Sequence, residues 1–274
     1  MLRLALLLCG SLAHAASDTL VLAYPEREKE PYIAEMPSNQ GVYQDLFQLA
    51  AKQSGLKLKI VRYPKKRIFS EMQQGKVDLY PGSFSIDRAA VMNWVENGLV
   101  TQEVCLTRPN IAPLNGLKNT PPMKFITEIG SSKANISATY PQLSAEVLGG
   151  RVDMALAIRA LQNKRGELFI IEQEPLQYYF RKNHIASAAS LGLRLHLNCL
   201  PQVDILLLGI AKASKHYAEI PNPNYQASQA LSVDNLPTLI DPTSKAGQFA
   251  KALRELKASG KTQQLLDRYM QISP

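Results

Sequence analysis

The 274-residue sequence is poor in cysteine, histidine and tryptophan: three, four and one respectively. So few cysteines exclude a disulfide-dense miniature scaffold, and no Cys-x-x-Cys pair appears for redox or zinc chemistry. The histidines, at 14, 184, 196 and 216, are scattered, and His184 and His196 read as surface residues. No His-Glu-x-x-His helix, Gly-x-Ser-x-Gly elbow or phosphate-binding Gly-rich loop is present. The sequence therefore assigns no catalytic residue, metal or cofactor. Glu172 and Glu174 alternate along one polar edge, a pattern that reads as solvated rather than as an acid–base pair. No apolar run beyond the N-terminus approaches the roughly 20 residues of a membrane span. The greasiest remaining segment, Ile205 to Ile210, has the length of a buried strand. Acidic groups are also short, 23 against 31 basic ones, for a formal charge of +8. Without an aromatic-basic repeat, that surplus does not indicate nucleic acid. It fits either a solvated basic surface or an anionic partner.

Apolar residues make up 46% of the chain, enough for one full core or two modest ones. Arg3, the short apolar run around Leu4 to Leu8, and Ala13-His14-Ala15 have the order of a secretory signal, with cleavage expected after Ala15. The mature chain is then expected to be periplasmic and soluble. Export leaves Cys105 and Cys199, which fit one disulfide or two buried thiols equally well.

Along the chain, Thr19 to Tyr24 predicts a first strand, Gly41 to Ser54 a helix, Leu58 to Tyr63 a second strand, Lys66 to Gln74 a helix, and Val77 to Tyr80 a third strand. This β-α-β-α-β order implies a parallel sheet with right-handed crossovers. Further on, Ser144 to Leu148 reads as a helix tail stopped by Gly149-Gly150, and Val152 to Ile158 as a strand. Leu168 to Glu172 and Ile205 to Ile210 read as strands, and 184–200 fits no pattern. The proline-rich stretch 217–244 reads as loop with a helical turn at Gln226 to Leu231, and helices Lys245 to Ala258 and Lys261 to Tyr269 finish the chain. An internal echo, EMQQGKVDL at 71–79 and EVLGGRVDMAL at 146–156, reads as two helix-Gly-strand units and hence two α/β lobes.

These residues resemble the amino-acid-type extracellular solute-binding proteins of ABC importers. The resemblance is carried by Pro31-Tyr32, Gly41 to Leu46, Gly75-Lys76-Val77-Asp78, the turn Gly82 to Arg88, Gly-Arg-Val-Asp at 150–153, and the closing helices. It implies a two-lobed α/β periplasmic-binding-protein-like fold, each lobe a mainly parallel sheet flanked by helices. Residues 16–106 and 212–274 would form lobe 1 and 107–211 lobe 2. Glu103 to Arg108 and Ile205 to Ala211 would cross between them. It further implies a non-enzymatic monomer that closes on a small carboxylate-bearing ligand and delivers it to a permease. A sensing module, or a dehydratase-like enzyme on the same scaffold, are the alternatives.

The resemblance also names a site. Arg88 would hold a ligand carboxylate through its planar fork, with Ser83 and Ser85 completing the anion site. The plainer reading has Ser85 capping a turn and Arg88 in solvent. Ser131 and Ser132 would contribute from the second lobe, or form an ordinary polar loop. Tyr24, Tyr32 and Phe84 are aromatic candidates for the cleft, or core. Arg67, with Lys65 and Lys66, sits unfavourably at a helix N-terminus, which reads as a solvated first turn or points to a nearby anion. In the resembled family an acid on the strand after Gly-Arg-x-Asp pairs with the ligand ammonium. Here no acid lies between Met154 and Arg159, so unless Glu26 or another carboxylate substitutes, a zwitterionic amino acid is not expected and a dicarboxylate, organic anion or peptide fits better.

Overall fold

The computed structural model describes residues 18–128, 131, 133, 136–149 and 152–271. The expected signal segment and cleavage site, with Gly130, Ser132, Gly150 and Arg151, lie outside them.

Eight strands form one continuous path, and a ninth pairs beside it. Parallel strands β1 (Thr19–Pro25), β2 (Lys57–Tyr63) and β3 (Leu79–Pro81) are connected by α1 (Val42–Gln53) and α2 (Lys65–Gln73). The 16-residue strand β4 (Met92–Thr107) comes next. Then come β5 (Met123–Glu128), the short helix α3 (Ile136–Thr139), β6 (Leu143–Leu148), α4 (Met154–Gln162), β7 (Leu168–Glu172) and α5 (Gln173–Lys182). β8 (Arg194–His196), β9 (Val203–Ala211), the small antiparallel pair β10 (Glu219–Pro221) and β11 (Thr238–Ile240), α6 (Lys245–Ala258) and α7 (Lys261–Met270) complete the chain. The sheet order is β2-β1-β3-β9-β4-β7-β5-β6, with β8 also on β4.

β4 belongs to both halves. Its first part pairs antiparallel with β9, from Met92↔Ala211 to Gln102↔Val203, and its last part pairs with β7, Glu103↔Glu172 to Thr107↔Leu168. The β4–β9 register shifts between Glu96 and Val100. The cores divide accordingly. One pair of apolar clusters gathers β1, α1, α2, the start of β4, the end of β9, α6 and α7; the other pair gathers the end of β4, β5, β6, α4, β7 and α5. Helix α6 presents Phe249, Ala252, Leu253 and Leu256 to the N-terminal half, so the last helices pack on the first strands. Cys105 and Cys199 form a disulfide in the other half, across 94 residues.

Asp78 shows why the Gly-Lys-Val-Asp turn has its sequence. Gly75 turns the chain at φ +67, and a Cβ there would run into the Ala213 carbonyl. The buried Asp78 carboxylate then accepts from the Val21 N–H (2.7 Å) and the Ser214 hydroxyl (2.5 Å), tying β1 to the segment after β9. It is a structural acid.

Three expectations are corrected. Residues 144–148 are strand β6, not a helix tail, held in parallel register with β5 (Lys124↔Ser144 to Glu128↔Leu148). Val152 to Ile158 is not a strand. Asp153 caps α4 by accepting from the Leu156 N–H (2.7 Å), and Ala157, Ile158, Ala160 and Leu161 bury one helical face. The echo is therefore not a structural repeat: one copy runs helix to strand, the other strand to helix. Finally, no helix forms at 226–231; the Asn235 amide donates to the carbonyls of Gln226, Gln229 and Ala230 and holds turns instead.

Candidate functional site

In an open α/β sheet, loops at the carboxyl ends of the strands form the natural crevice. Four such ends meet here, from β1, β3, β5 and β7. From β1, the segment 25–40 reaches toward the second half. Arg62, on β2, fixes it by donating to the Pro25, Ala34 and Ser38 carbonyls and to Asn39 Oδ1 at 2.6–3.0 Å, with its guanidinium over the Tyr24 ring. A tight turn (Lys29 N to Ile33 O, 2.8 Å) shapes its tip. Gly41 lets the chain enter α1 against it, since a Cβ there would meet the Tyr32 carbonyl.

From this segment four side chains reach the second half. Arg27 pairs with Glu128 at the end of β5. Lys29 Nζ lies 2.9 Å from Glu172 Oε1 at the end of β7. The Tyr32 hydroxyl faces Glu174 Oε2 at 3.5 Å, and Glu30 takes Lys182 Nζ at 2.7 Å. Glu174, in the first turn of α5, also accepts from the Thr101 hydroxyl. Lys133 Nζ binds Glu103 at 2.6 Å and donates to the Ile170 carbonyl at 3.0 Å. Burial alone would raise the Glu172 carboxyl. The Lys29 ammonium, with Lys133 further off, outweighs that and holds it well below the usual carboxylate range. Lys29 is correspondingly held above the usual lysine range by Glu172, against the pull of its own burial.

The acid missing from 154–159 is thus present elsewhere. Ile158 lies in the core on α4, and the strand that ends at the crevice is β7, where Glu172 stands. Glu172 and Glu174 are not a solvated strand pair: one ends β7, the other opens α5, and both are engaged across the halves. The signal that could have located them was Gly166 followed by the apolar run Leu168 to Ile171, a cleaner strand than Val152 to Ile158. Lys29 and Arg27 carried no local pattern, because their partners lie 143 and 101 residues away.

Of the residues expected to hold an anion, Arg88, Ser83 and Ser85 share the turn after β3. Arg88 ends a one-turn 3-10 helix, Ile86–Arg88, after β3. Its Nη1 donates to the Ser83 carbonyl (3.2 Å), and its guanidinium lies 4.7 Å from the Phe69 ring centre, which fixes the fork. Ser85 precedes that helix without capping it, and neither the Ser83 nor the Ser85 hydroxyl makes a hydrogen bond among the described residues. Lys65, the first residue of α2, is half-buried and has no carboxylate within ion-pair distance among the described residues. Burial and then the neighbouring positive charge of Arg88 hold its ammonium below the usual lysine range; Arg27 adds to this and Glu128 opposes it.

The other candidates are placed differently. Tyr24 is fully buried in the N-terminal core, where burial raises its phenol, so it lies behind the crevice. Tyr32 is also buried, stacked on Tyr43 at 5.0 Å, and only its hydroxyl reaches the second half. Phe84 packs on Trp94 at 4.8 Å. Arg67 is exposed along α2, paired with Glu71 (3.3 Å) and over Tyr63. Ser131 forms a turn after β5, its hydroxyl accepting from the Lys133 N–H at 3.2 Å. His196, expected at the surface, is instead buried between the Thr107 hydroxyl (2.8 Å) and the Leu114 N–H (3.0 Å). The described residues hold no cluster of three or more His, Cys, Asp or Glu side chains suited to a metal.

Residues 26–272 match the model of the bacterial extracellular solute-binding proteins, family 3. The chain belongs to that family. No curated protein matches it in sequence. Among solved structures, this family 3 chain is similar to the GluR0 ligand-binding core in complex with L-glutamate (14% identity, 94% of this chain and 99% of that one, TM-score 0.66). It is also similar to a histidine kinase sensor domain related to periplasmic binding proteins (16%, 94% and 99%, 0.63). A third likeness is to the substrate-binding protein of an amino acid ABC transporter (16%, 92% and 98%, 0.60). At such identities these likenesses establish the shared two-lobed α/β fold. No helix among the described residues is long and apolar enough to cross a membrane.

Proposed function

We propose that this family 3 chain is an exported binding protein that closes on a small carboxylate-bearing solute and hands it to an ABC importer, without chemistry of its own. Lobe 1 would comprise 16–106 and 212–274, and lobe 2 107–211, swinging about the β4–β9 pair. The Cys105–Cys199 disulfide suits a chain matured in an oxidising compartment.

One observation carries the anionic reading. Lys65 opens α2 after β2 and Arg88 closes the turn after β3, and neither has a carboxylate within ion-pair distance among the described residues. Two cations held together in a crevice call for an anion. Arg88 is pinned by the Ser83 carbonyl and the Phe69 ring, so its fork is oriented before ligand arrives. That orientation reduces the entropy lost on binding. Ser83 and Ser85 supply hydroxyls beside it.

A thermal-shift screen of mono- and dicarboxylates, followed by calorimetry, tests the reading. Arg88→Ala is expected to cost about 2–5 kcal/mol, roughly thirty-fold or more in affinity, because a desolvated carboxylate loses its hydrogen-bonded partner. Arg88→Lys should recover only part of that, since an ammonium offers no planar fork. Carboxylate binding at wild-type strength in Arg88→Ala would remove the reading.

A further inference from the structure

We propose that Lys29 acts as an internal counter-ion that fills the acidic side of the cleft, so that the site selects carboxylates lacking an amine at that position. This rests on the anion-binding reading of the same cleft and adds to it the side of the site that rejects ligands.

Four acids at this edge are engaged from within the chain. Glu128 takes Arg27 and the Val152 N–H (3.2 Å), and Glu103 takes Lys133. Glu174 takes the Thr101 and Tyr32 hydroxyls, and Glu172 takes Lys29. Asp204, the other carboxylate near Glu172, is exposed on β9. A ligand ammonium directed at Glu172 must displace the Lys29 ammonium already in place or remain unpaired, and an unpaired charge in a closed cleft is costly.

Displacing Lys29 is hard because it is not a wandering surface lysine. The 29–33 turn fixes its backbone, its Nζ lies 5.6 Å from the Tyr32 ring centre, and Tyr32 stacks on Tyr43 of α1. Arg62 then fastens both ends of the segment to β2. A tethered ammonium competes with a free one at an effective concentration in the millimolar range, with little ordering entropy left to lose. On the cationic side the chain supplies no such stand-in: no carboxylate of the described residues is delivered to Lys65 and Arg88. One charge of the cleft is satisfied internally and the other is left for the ligand.

Calorimetry with two matched pairs, succinate against aspartate and glutarate against glutamate, isolates the effect, because the members of each pair differ by one ammonium group. Wild-type protein is expected to prefer the amine-free member at least ten-fold. Lys29→Met should shift that ratio at least ten-fold toward the amine, Lys29→Arg should keep the wild-type ratio, and Lys29→Met with Glu172→Gln should cancel the shift. Lys29→Gln serves as a second neutral variant should Lys29→Met fold poorly. A ratio unchanged within two-fold in the neutral variants, or wild-type preference for the amine, overturns the role of Lys29. The two readings separate cleanly. Dicarboxylate binding that is lost in Arg88→Ala while the Lys29 ratio stays fixed leaves only the anion reading standing. A ratio that shifts while Arg88→Ala has no effect leaves only Lys29. No binding of any probe to wild type or variants counts against both.

Discussion

The two edges of the cleft meet through ion pairs, most of them with the cation on the first half. The first half brings Arg27, Lys29, Lys65 and Arg88 to the ends of its strands, and the second brings Glu128, Glu172 and Glu174 to the ends of β5 and β7 and the start of α5. The pairs made across the gap, Arg27 with Glu128, Lys29 with Glu172 and, in the opposite sense, Lys182 with Glu30, leave Lys65 and Arg88 without a carboxylate within ion-pair distance among the described residues. The bulk charge of +8 could not reveal this, because it averages over the whole surface. The informative quantity is which cations remain without a carboxylate once the halves have met.

The halves differ in how they are held together. The first is assembled from two distant stretches of chain and relies on apolar packing of α1, α6 and α7 around Phe47, Phe249 and Leu253. The second is stapled. Replacing both Cys105 and Cys199 with serine should therefore produce the largest effect, a loss of about 2–5 kcal/mol. Hydrogen exchange should locate it. Amides of β5 and β7 should lose protection while those of β1 and β2 keep it; equal loss in both would mean that the halves unfold as one unit.

A smaller effect is expected from pH, and it probes the contrast between the edges directly. Glu172 is held below its ordinary value of 4.5 and Lys29 above its ordinary 10.5. The depressed acid contributes fully above about pH 4.5 and loses that contribution as pH falls toward its lowered value. The raised lysine contributes fully below about pH 10.5 and loses it only above that. The ligand-free radius of gyration from small-angle scattering should thus stay constant between pH 5 and 9 and grow in acid. Expansion between pH 6 and 8 would show that other groups hold the edges together.

The smallest effect concerns the second half alone. Asp153→Ala removes the cap of α4 and should cost about 1 kcal/mol in thermal or denaturant unfolding. A loss much above that would show that the cap also holds Val152, whose N–H donates to Glu128.

Much of the fold could be read in advance where pattern and punctuation agree. Thr19 to Tyr80 shows alternating helical and strand periods closed by Gly55 and Gly75, and the structure matches it within two residues. From 144 to 158 the same signals misled. Val-Asp after glycine suits a strand at 77 and a helix cap at 153, and the difference lies in the residues just beyond: Leu79 pairs with β1 and β9, whereas Ala157, Ile158, Ala160 and Leu161 repeat at helical spacing. Of the proposed site, Arg88, Ser83 and Ser85 could be put forward from sequence because they share one local turn. Lys29 and Glu172 were not, because neither has meaning until the halves meet. Tyr24 was left open between cleft and core because an aromatic at a strand end looks the same from either side of the sheet, and it lies in the core.

The β4–β9 pair has a consequence for the populations of open and closed protein. Because both strands run through the junction, the halves cannot separate, and every contact across the gap forms intramolecularly. Partly exposed ion pairs contribute only about 0–1 kcal/mol each, too little to join two free bodies. Between tethered ones, where open and closed forms differ by a few kcal/mol, a handful of such pairs shifts the ratio by one or two powers of ten. If the protein closes on a solute as proposed, the segment gripped by Arg62 would set how much of the closing work remains for that solute, and hence how dilute a solute it could capture.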